Sequence, residues 1–466
     1  MTSTYDAIIL GAGHNGLILQ AYLGKAGMKT IALERRAVAG GGLSTIEDSR
    51  LPGFLHNTHA FFLRAITAMP WYADLALERN GTQLIEPELN VALITGDGRA
   101  LEWWTDIGKT IDSFAAFSLR DAATLRRWHD EFVPIVAQML APEARSPPLP
   151  PEERRALLSR TSAGRRLLTV SALSPLEFVE QEFEHPTIKA GLLFFNGLRE
   201  VDLRLPGFGH HIAVLLASPA KAQMARGGSA ALARALEAAV REAGGEIRLN
   251  TEPERIVVEG GRAVGIETRD GELIRAKHVV ASSLNPHQTF LDLLDEDLLP
   301  REMRERAQRF RYNLLAPLFA MHLNLSEPPR YSASADHPEL ARAFMVILGL
   351  DHVDRFADIV RHHEAGTIPP TVMWGACPTL FDASQAPARR HTAFMWEKLP
   401  YRVHGDAENW DRLRDEHARA MFKLWQAHAP NLADAILGSF ARTPLDTERD
   451  LPNKPSRRQH HRASRL

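Results

Sequence analysis

Residues 7–34 read AIILGAGHNGLILQAYLGKAGMKTIALE. Ala7-Ile8-Ile9-Leu10 is a continuous apolar run, the pattern of a strand buried on both faces of a parallel sheet. Gly11-Ala12-Gly13-His14-Asn15-Gly16 follows with the spacing G-x-G-x-x-G. Leu17, Ala21 and Leu23 then fall at helical spacing, and Gly27 suits a helix stop. Thr30-Ile31-Ala32-Leu33 is the next buried strand. Strand, helix and strand in that order imply a right-handed crossover and a parallel pair. The fold class expected from this start is α/β, with a Rossmann-like domain.

Each glycine has a separate task in such a unit. Gly11 permits the tight turn, Gly13 lets backbone approach a pyrophosphate, and Gly16 lets the helix pack on the strand. The helix N-terminus offers N–H groups and partial positive charge to phosphate. Glu34, at the end of the second strand, is placed to accept hydrogen bonds from ribose hydroxyls. Together these point to a dinucleotide site. Arg35 and Arg36 suggest a 2′-phosphate, but Glu34 at the ribose position would repel one. A second cluster, Gly40-Gly41-Gly42-Leu43-Ser44-Thr45, is more than an NAD domain requires. It allows a second close approach of backbone to the pyrophosphate and favours FAD.

Beyond residue 60 the strand–helix–strand rhythm is lost. Pro142 to Glu153 (PEARSPPLPPEE) reads as a surface loop, and residues 154 to 200 as mostly helical. Order returns at Gly227-Gly228-Ser229. Ser229 suits an N-cap, and the helix after it carries Leu232, Leu236, Ala239 and Val240 on one face. Glu246 to Leu249, Ile256 to Glu259, Ala263 to Arg269 and Glu272 to Ser282 read as strands. Glycine turns at 260–261 and 270–271 make a meander of the last three. Nucleotide-domain features therefore stand at both ends of a long insertion. The expected organisation is a discontinuous FAD-binding domain (1–75, 222–300 and 431–453) with an inserted α+β substrate domain (76–221 and 301–430). The arginine- and histidine-rich tail, 454–466, is expected to be disordered.

Three stretches carry a family resemblance. DAIILGAGHNGLILQAYLGKAGMKTIALERRAVAGGGLST (6–45) resembles the N-terminus of the phytoene dehydrogenase-like FAD oxidoreductases, within the amine-oxidase and carotenoid-desaturase superfamily. Residues 227–249 and 255–282 resemble that family's middle segment, and Thr443 to Asn453 resembles the stretch before its final flavin motif. The resemblance implies that Gly11, Ala12, Gly13, His14, Asn15 and Gly16 form the turn against the FAD pyrophosphate. It implies Glu34 on the adenosine ribose, and Arg35, Gly41, Gly42 and Ser44 beside the pyrophosphate and ribityl chain. The position beside adenine is Pro253, which has no N–H to donate. After Asn453 the chain departs from the family. That implies a truncated or frameshifted end and a flavin ring short of part of its wall.

Composition narrows the chemistry. The 466 residues carry a formal net charge of −2, which gives no reason to expect a nucleic-acid partner. The single cysteine, Cys377, excludes an intrachain disulfide and a dithiol pair. With no second dinucleotide fingerprint, this excludes a disulfide reductase. A reducing, cytoplasmic location is expected, with at most peripheral membrane contact. The expected reaction is flavin-dependent dehydrogenation or desaturation of an apolar or amphipathic small molecule, with oxygen or a quinone-like compound as acceptor. Catalytic residues are not identified. His56, His59, His210 and His211 are candidates to face the flavin, and Trp103, Trp104, Phe194 and Phe195 to line a pocket. A competing reading is a non-catalytic binding protein on the same scaffold, like the Rab GDP-dissociation inhibitors. A plain NAD-dependent dehydrogenase is disfavoured by the second glycine cluster and the late meander.

Overall fold

Ser3–Leu10 stands near the middle of a six-stranded sheet in the order Glu246–Arg248, Thr30–Leu33, Ser3–Leu10, Leu273–Ser282, Arg262–Thr268, Pro253–Glu259. The first four strands run parallel and the last three form the antiparallel meander. The structure is a computed structural model and describes residues 3–198, 203–218, 222–311 and 314–450. The apolar run behaves as its composition requires. Ala7, Ile8, Ile9 and Leu10 are fully buried, with alternate side chains entering the cores on the two faces. On one face lie helices His14–Lys25 and Ala230–Glu242, which pack on each other.

A second sheet has seven strands in the order Ile436–Arg442, Leu318–Leu325, His391–Lys398, Met373–Ala376, Met345–Leu348, Leu89–Ile94, Ala100–Trp104. One face packs on a helical layer drawn from residues 107–217, and the other on helix Asn409–His428. The helical layer is centred on Trp128, which is 1% exposed. Its ring stacks on Phe178 at 4.5 Å, meets Phe183 edge-on at 4.6 Å, and donates Nε1–H to Glu182. Trp128→Ala is expected to destabilise the protein by about 3–5 kcal/mol, read as a lower urea midpoint at unchanged slope.

The organisation differs from expectation at 431–453. Strand Ile436–Arg442 pairs with Leu318–Leu325 in the second sheet, and Leu445 packs into that sheet's core. The reason is local. Leu432, Ala435 and Leu445 find their apolar neighbours around Trp410 and Trp425, not on the nucleotide sheet. The expectations for residues 451–466, a disordered tail and an aberrant end, lie outside the described residues.

Candidate functional site

Helix His14–Lys25 starts uncapped. Gly13 is its N-cap in extended conformation, without a side-chain hydrogen bond, and the first turn carries no acid. Its N–H groups and positive dipole end stay available to an anion. Gly11 makes the entering turn at φ +84°, in the left-handed region. Gly16 serves packing, because a Cβ there would lie 2.2 Å from the Gly11 carbonyl oxygen. Gly13 has more room: its nearest neighbour would be Gly41 Cα at 3.8 Å.

The second glycine cluster folds onto the first. Gly13 and Gly40 form an isolated parallel bridge, and the Gly40 N–H donates to the Ala12 carbonyl at 2.8 Å. A Cβ on Gly41 would come within 3.0 Å of Gly13 Cα. Glu34 lies beside this contact, 8% exposed. Its Oε2 accepts from the Ala12 N–H at 3.1 Å and its Oε1 from the Arg36 N–H at 3.0 Å. A carboxylate has about four lone-pair positions, so acceptor capacity remains for hydroxyls. Both neighbouring guanidinium groups are engaged by backbone carbonyls, Arg35 with Arg449 at 3.2 Å and Arg36 with Gly41 at 3.4 Å.

These elements surround a cleft of about 440 Å³. Gly11, Gly13, His14, Asn15, Glu34, Arg35, Gly41, Gly42 and Pro253 line it. Ala12, Gly16 and Ser44 are not among its walls. Ala12 orients Glu34 from behind, Gly16 seats the helix, and the Ser44 carbonyl accepts from Ser229 Oγ at 3.2 Å. Pro253 stands at the far end between Glu252 and Glu254, whose carboxylates are paired with Arg269 at 2.6 and 3.6 Å. His14 is exposed at the mouth of the cleft, and the desolvation its surroundings impose on the imidazole holds it below its usual range. One wall escaped sequence reasoning: Ser283, Leu284, Gln288, Asp292 and Leu293. Ser283 Oγ donates to the Leu10 and Gly11 carbonyls at 2.9 and 3.1 Å, bracing the turn. Its signal was its place, directly after the strand that pairs with Ser3–Leu10. An uncapped helix start, two touching glycine turns and a buried acceptor fit a dinucleotide's pyrophosphate and ribose.

The glycine-capped helix is held differently from expectation. Ser229 precedes Ala230–Glu242 but does not cap it with its side chain. Asn57 Oδ1 accepts from the Ser229 N–H at 2.8 Å, and Thr45 Oγ1 from the Ala230 N–H at 3.0 Å. Ser229 Oγ is committed to Ser44, so a hairpin residue does the capping. The chain of bonds continues outward. Asn57 Nδ2 donates to Gln385 Oε1 at 2.9 Å, and Gln385 Nε2 to Asp382 Oδ2 at 3.1 Å. Asp382 closes the loop by accepting from the Gly227 N–H at 2.6 Å. Burial works against ionisation of Asp382, but the Gly227 N–H, Ser384 and Gln385 outweigh it and hold its carboxyl below the usual range.

None of the four candidate histidines lines the cleft. His56 is buried against the second sheet, bonded to Asn324 at 2.7 Å. His59 is half-buried. His210 lies in the helical layer, sharing a hydrogen bond with Ser171 at 2.9 Å, and burial pushes it down to about 4. His211 stacks edge-on against it at 4.8 Å. Trp103 and Trp104 are core residues, Phe194 lines a small pocket with Phe356, Ile359 and Trp374, and the Phe195 side chain lies outside the described residues.

Known proteins resemble this chain in sequence and in fold. Residues 16–351 match the family described as flavin containing amine oxidoreductase. The chain is 32% identical to a limonene dehydrogenase component of Castellaniella defragrans over 371 residues, 77% of this chain and 65% of that one. The match thus spans just under two thirds of that relative's length. It is 24% identical to a lycopene-forming phytoene desaturase of Pseudescherichia vulneris, covering 94% of this chain and 85% of the relative. Putrescine oxidase bound to putrescine shares the fold, with TM-score 0.59, 13% identity, and coverage of 96% and 90% of the two chains.

Proposed function

From the premise that the chain belongs to the family of flavin-containing amine oxidoreductases, we propose that it is an FAD-dependent oxidoreductase that dehydrogenates an apolar or amphipathic small molecule. The observation that carries this is the contact of two glycine turns beside the buried carboxylate of Glu34. Gly11, Gly13, Gly41, Gly42 and the first-turn N–H groups of helix His14–Lys25 hold the pyrophosphate. Glu34 receives the ribose hydroxyls, and Pro253 and Arg269 border the adenine. FAD, when bound, supplies the hydride acceptor. The protein contributes binding, orientation and exclusion of water, the last through the helix-facing side of the second sheet, which is rich in aromatic rings. Oxygen or a quinone-like compound then takes up the electrons. The named relatives, a limonene dehydrogenase component and a phytoene desaturase, support an apolar substrate.

Cys377 is buried and its thiol is pushed up to about 12 by burial, so it takes no part in redox exchange. No described helix is long and apolar enough to cross a membrane. We propose a cytoplasmic location, the reading that a single buried cysteine supports.

The test is the visible spectrum of the purified protein. A flavin band that bleaches under anaerobic addition of limonene or another apolar terpene is the expected result. A colourless protein that added FAD does not restore would sink the proposal.

A further inference from the structure

His56 lies on the short hairpin, Thr45–Glu47 and Leu55–Asn57, that follows the second glycine turn, opposite Ile46. It projects toward the second sheet, where the relevant strands are Leu318–Leu325 and Ile436–Arg442. Its Nε2 is 2.7 Å from Asn324 Oδ1, and Asn324 Nδ2 is 2.8 Å from Asp48 Oδ2. All three side chains are at least 95% buried.

The direction of these bonds is settled by chemistry. Arg50 holds Asp48 through its backbone N–H at 3.0 Å and its guanidinium at 3.2 Å. Burial works against the charge, but Arg50 and Asn324 outweigh it and keep the Asp48 carboxyl below its usual range. An ionised carboxylate only accepts. Asn324 must therefore give it the amide nitrogen and turn its carbonyl oxygen to His56. That oxygen requires a proton on His56 Nε2, and Nδ1 is left as an acceptor. A second imidazole stands 5.2 Å away. His322 is fully buried, stacked on Phe440 at 4.8 Å, and neither ring nitrogen has a hydrogen-bond partner among the described residues. A neutral imidazole carries one donor and one acceptor, and leaving both unmet is costly. Arg442, the guanidinium that acts on His322, is already paired with Asp450.

We infer that Asp48 and Asn324 are positioning residues that hold His56 as its Nε2–H tautomer, and that His56 Nδ1 and the His322 ring together receive the hydroxyl end of an amphipathic substrate. A hydroxyl donates to Nδ1 and accepts from the His322 N–H, and Phe394 and Phe440 supply the apolar walls. The inference rests on the oxidoreductase reading only for the word substrate.

Two measurements on the full chain test it. The first is nitrogen NMR of protein labelled at histidine, with His56 assigned by its loss in His56→Gln. The parent is expected to show Nε2 protonated and Nδ1 bare. In Asp48→Asn the Asn324 amide is free to turn over, and the Nδ1–H tautomer is expected to rise to at least about half. An Nδ1–H tautomer in the parent overturns the lock, as does an unchanged tautomer in a folded Asp48→Asn. The parent spectrum decides even if that variant fails to fold. The second is calorimetric titration with menthol and p-menthane, which share a skeleton and differ by one hydroxyl. Menthol is expected to bind about 5-fold more tightly, with the ratio falling to about 1 in His56→Leu. Equal binding by the parent, or binding of neither probe, overturns the hydroxyl recognition. A colourless protein would overturn the oxidoreductase reading while leaving both readouts in place.

Discussion

Gly13→Val is expected to purify as a folded protein with almost no flavin. Position 13 has φ −72° and ψ 169°, a conformation open to any residue. A Cβ there makes only an ordinary contact, at 3.8 Å, with Gly41 Cα. The fold therefore has little reason to object. The proposed pyrophosphate does, because the new methyl groups stand between it and the helix N–H groups. Losing that approach should weaken FAD by about 3 kcal/mol or more, which is two decades in Kd or more. The variant should melt like deflavinated parent, since a ligand that binds only the folded state raises its stability in proportion to occupancy. A yellow, stoichiometrically loaded Gly13→Val would show that the pyrophosphate lies elsewhere.

Gly16→Ala, three residues later, is expected to fail in the opposite way. Its single methyl carbon would sit 2.2 Å from the Gly11 carbonyl oxygen and 3.2 Å from Ile9 Cγ2. The first obstacle is backbone, in a turn already fixed by the Gly11 N–H to Leu33 and by Ser283. Relief requires helix His14–Lys25 to lift from the sheet and from helix Ala230–Glu242. That disrupts the core around Ile9, Leu17 and Leu236. A loss of more than about 4 kcal/mol is expected, a large share of a domain's stability, so the variant should be insoluble or melt far below the parent. A soluble Gly16→Ala with parental melting but no flavin would mean that position 16 serves the cofactor and not the packing. The pair of variants separates two tasks that one glycine motif conflates.

Much of the nucleotide half was legible because its signals are local. Four apolar residues in a row, glycines at fixed intervals and an acid at a strand end each state one backbone requirement. The meander was equally plain, since its turns are Gly260-Gly261 and Asp270-Gly271. What stayed hidden depends on residues distant in sequence. Ser229 reads as an N-cap, and only the fold shows that Asn57 and Thr45 take over that work. Ser283 follows the last meander strand without any local signal, and its service to the Gly11 turn appears only when that strand pairs with the first. The second sheet was harder still. Its neighbours Leu89–Ile94 and Met345–Leu348 are some 250 residues apart, and no local pattern announces such a pairing. Residues 431–453 group with the nucleotide domain by family resemblance, which speaks of sequence order, whereas strand Ile436–Arg442 joins the second sheet and its flanking side chains answer to Trp410 and Trp425.

The bonds linking Asn57, Gln385, Asp382 and Gly227 bear on modularity. They make the glycine turn, the start of the later helix and a loop of the second sheet one mechanical piece. The nucleotide half is then not a cassette. A chimera that transplants it from a relative must carry positions 57, 227–229 and 382–385 from a single parent, or it will bury the Gly227 N–H and the Asn57 amide without partners. Substrate preference can be recombined among relatives only along seams that leave those four residues together.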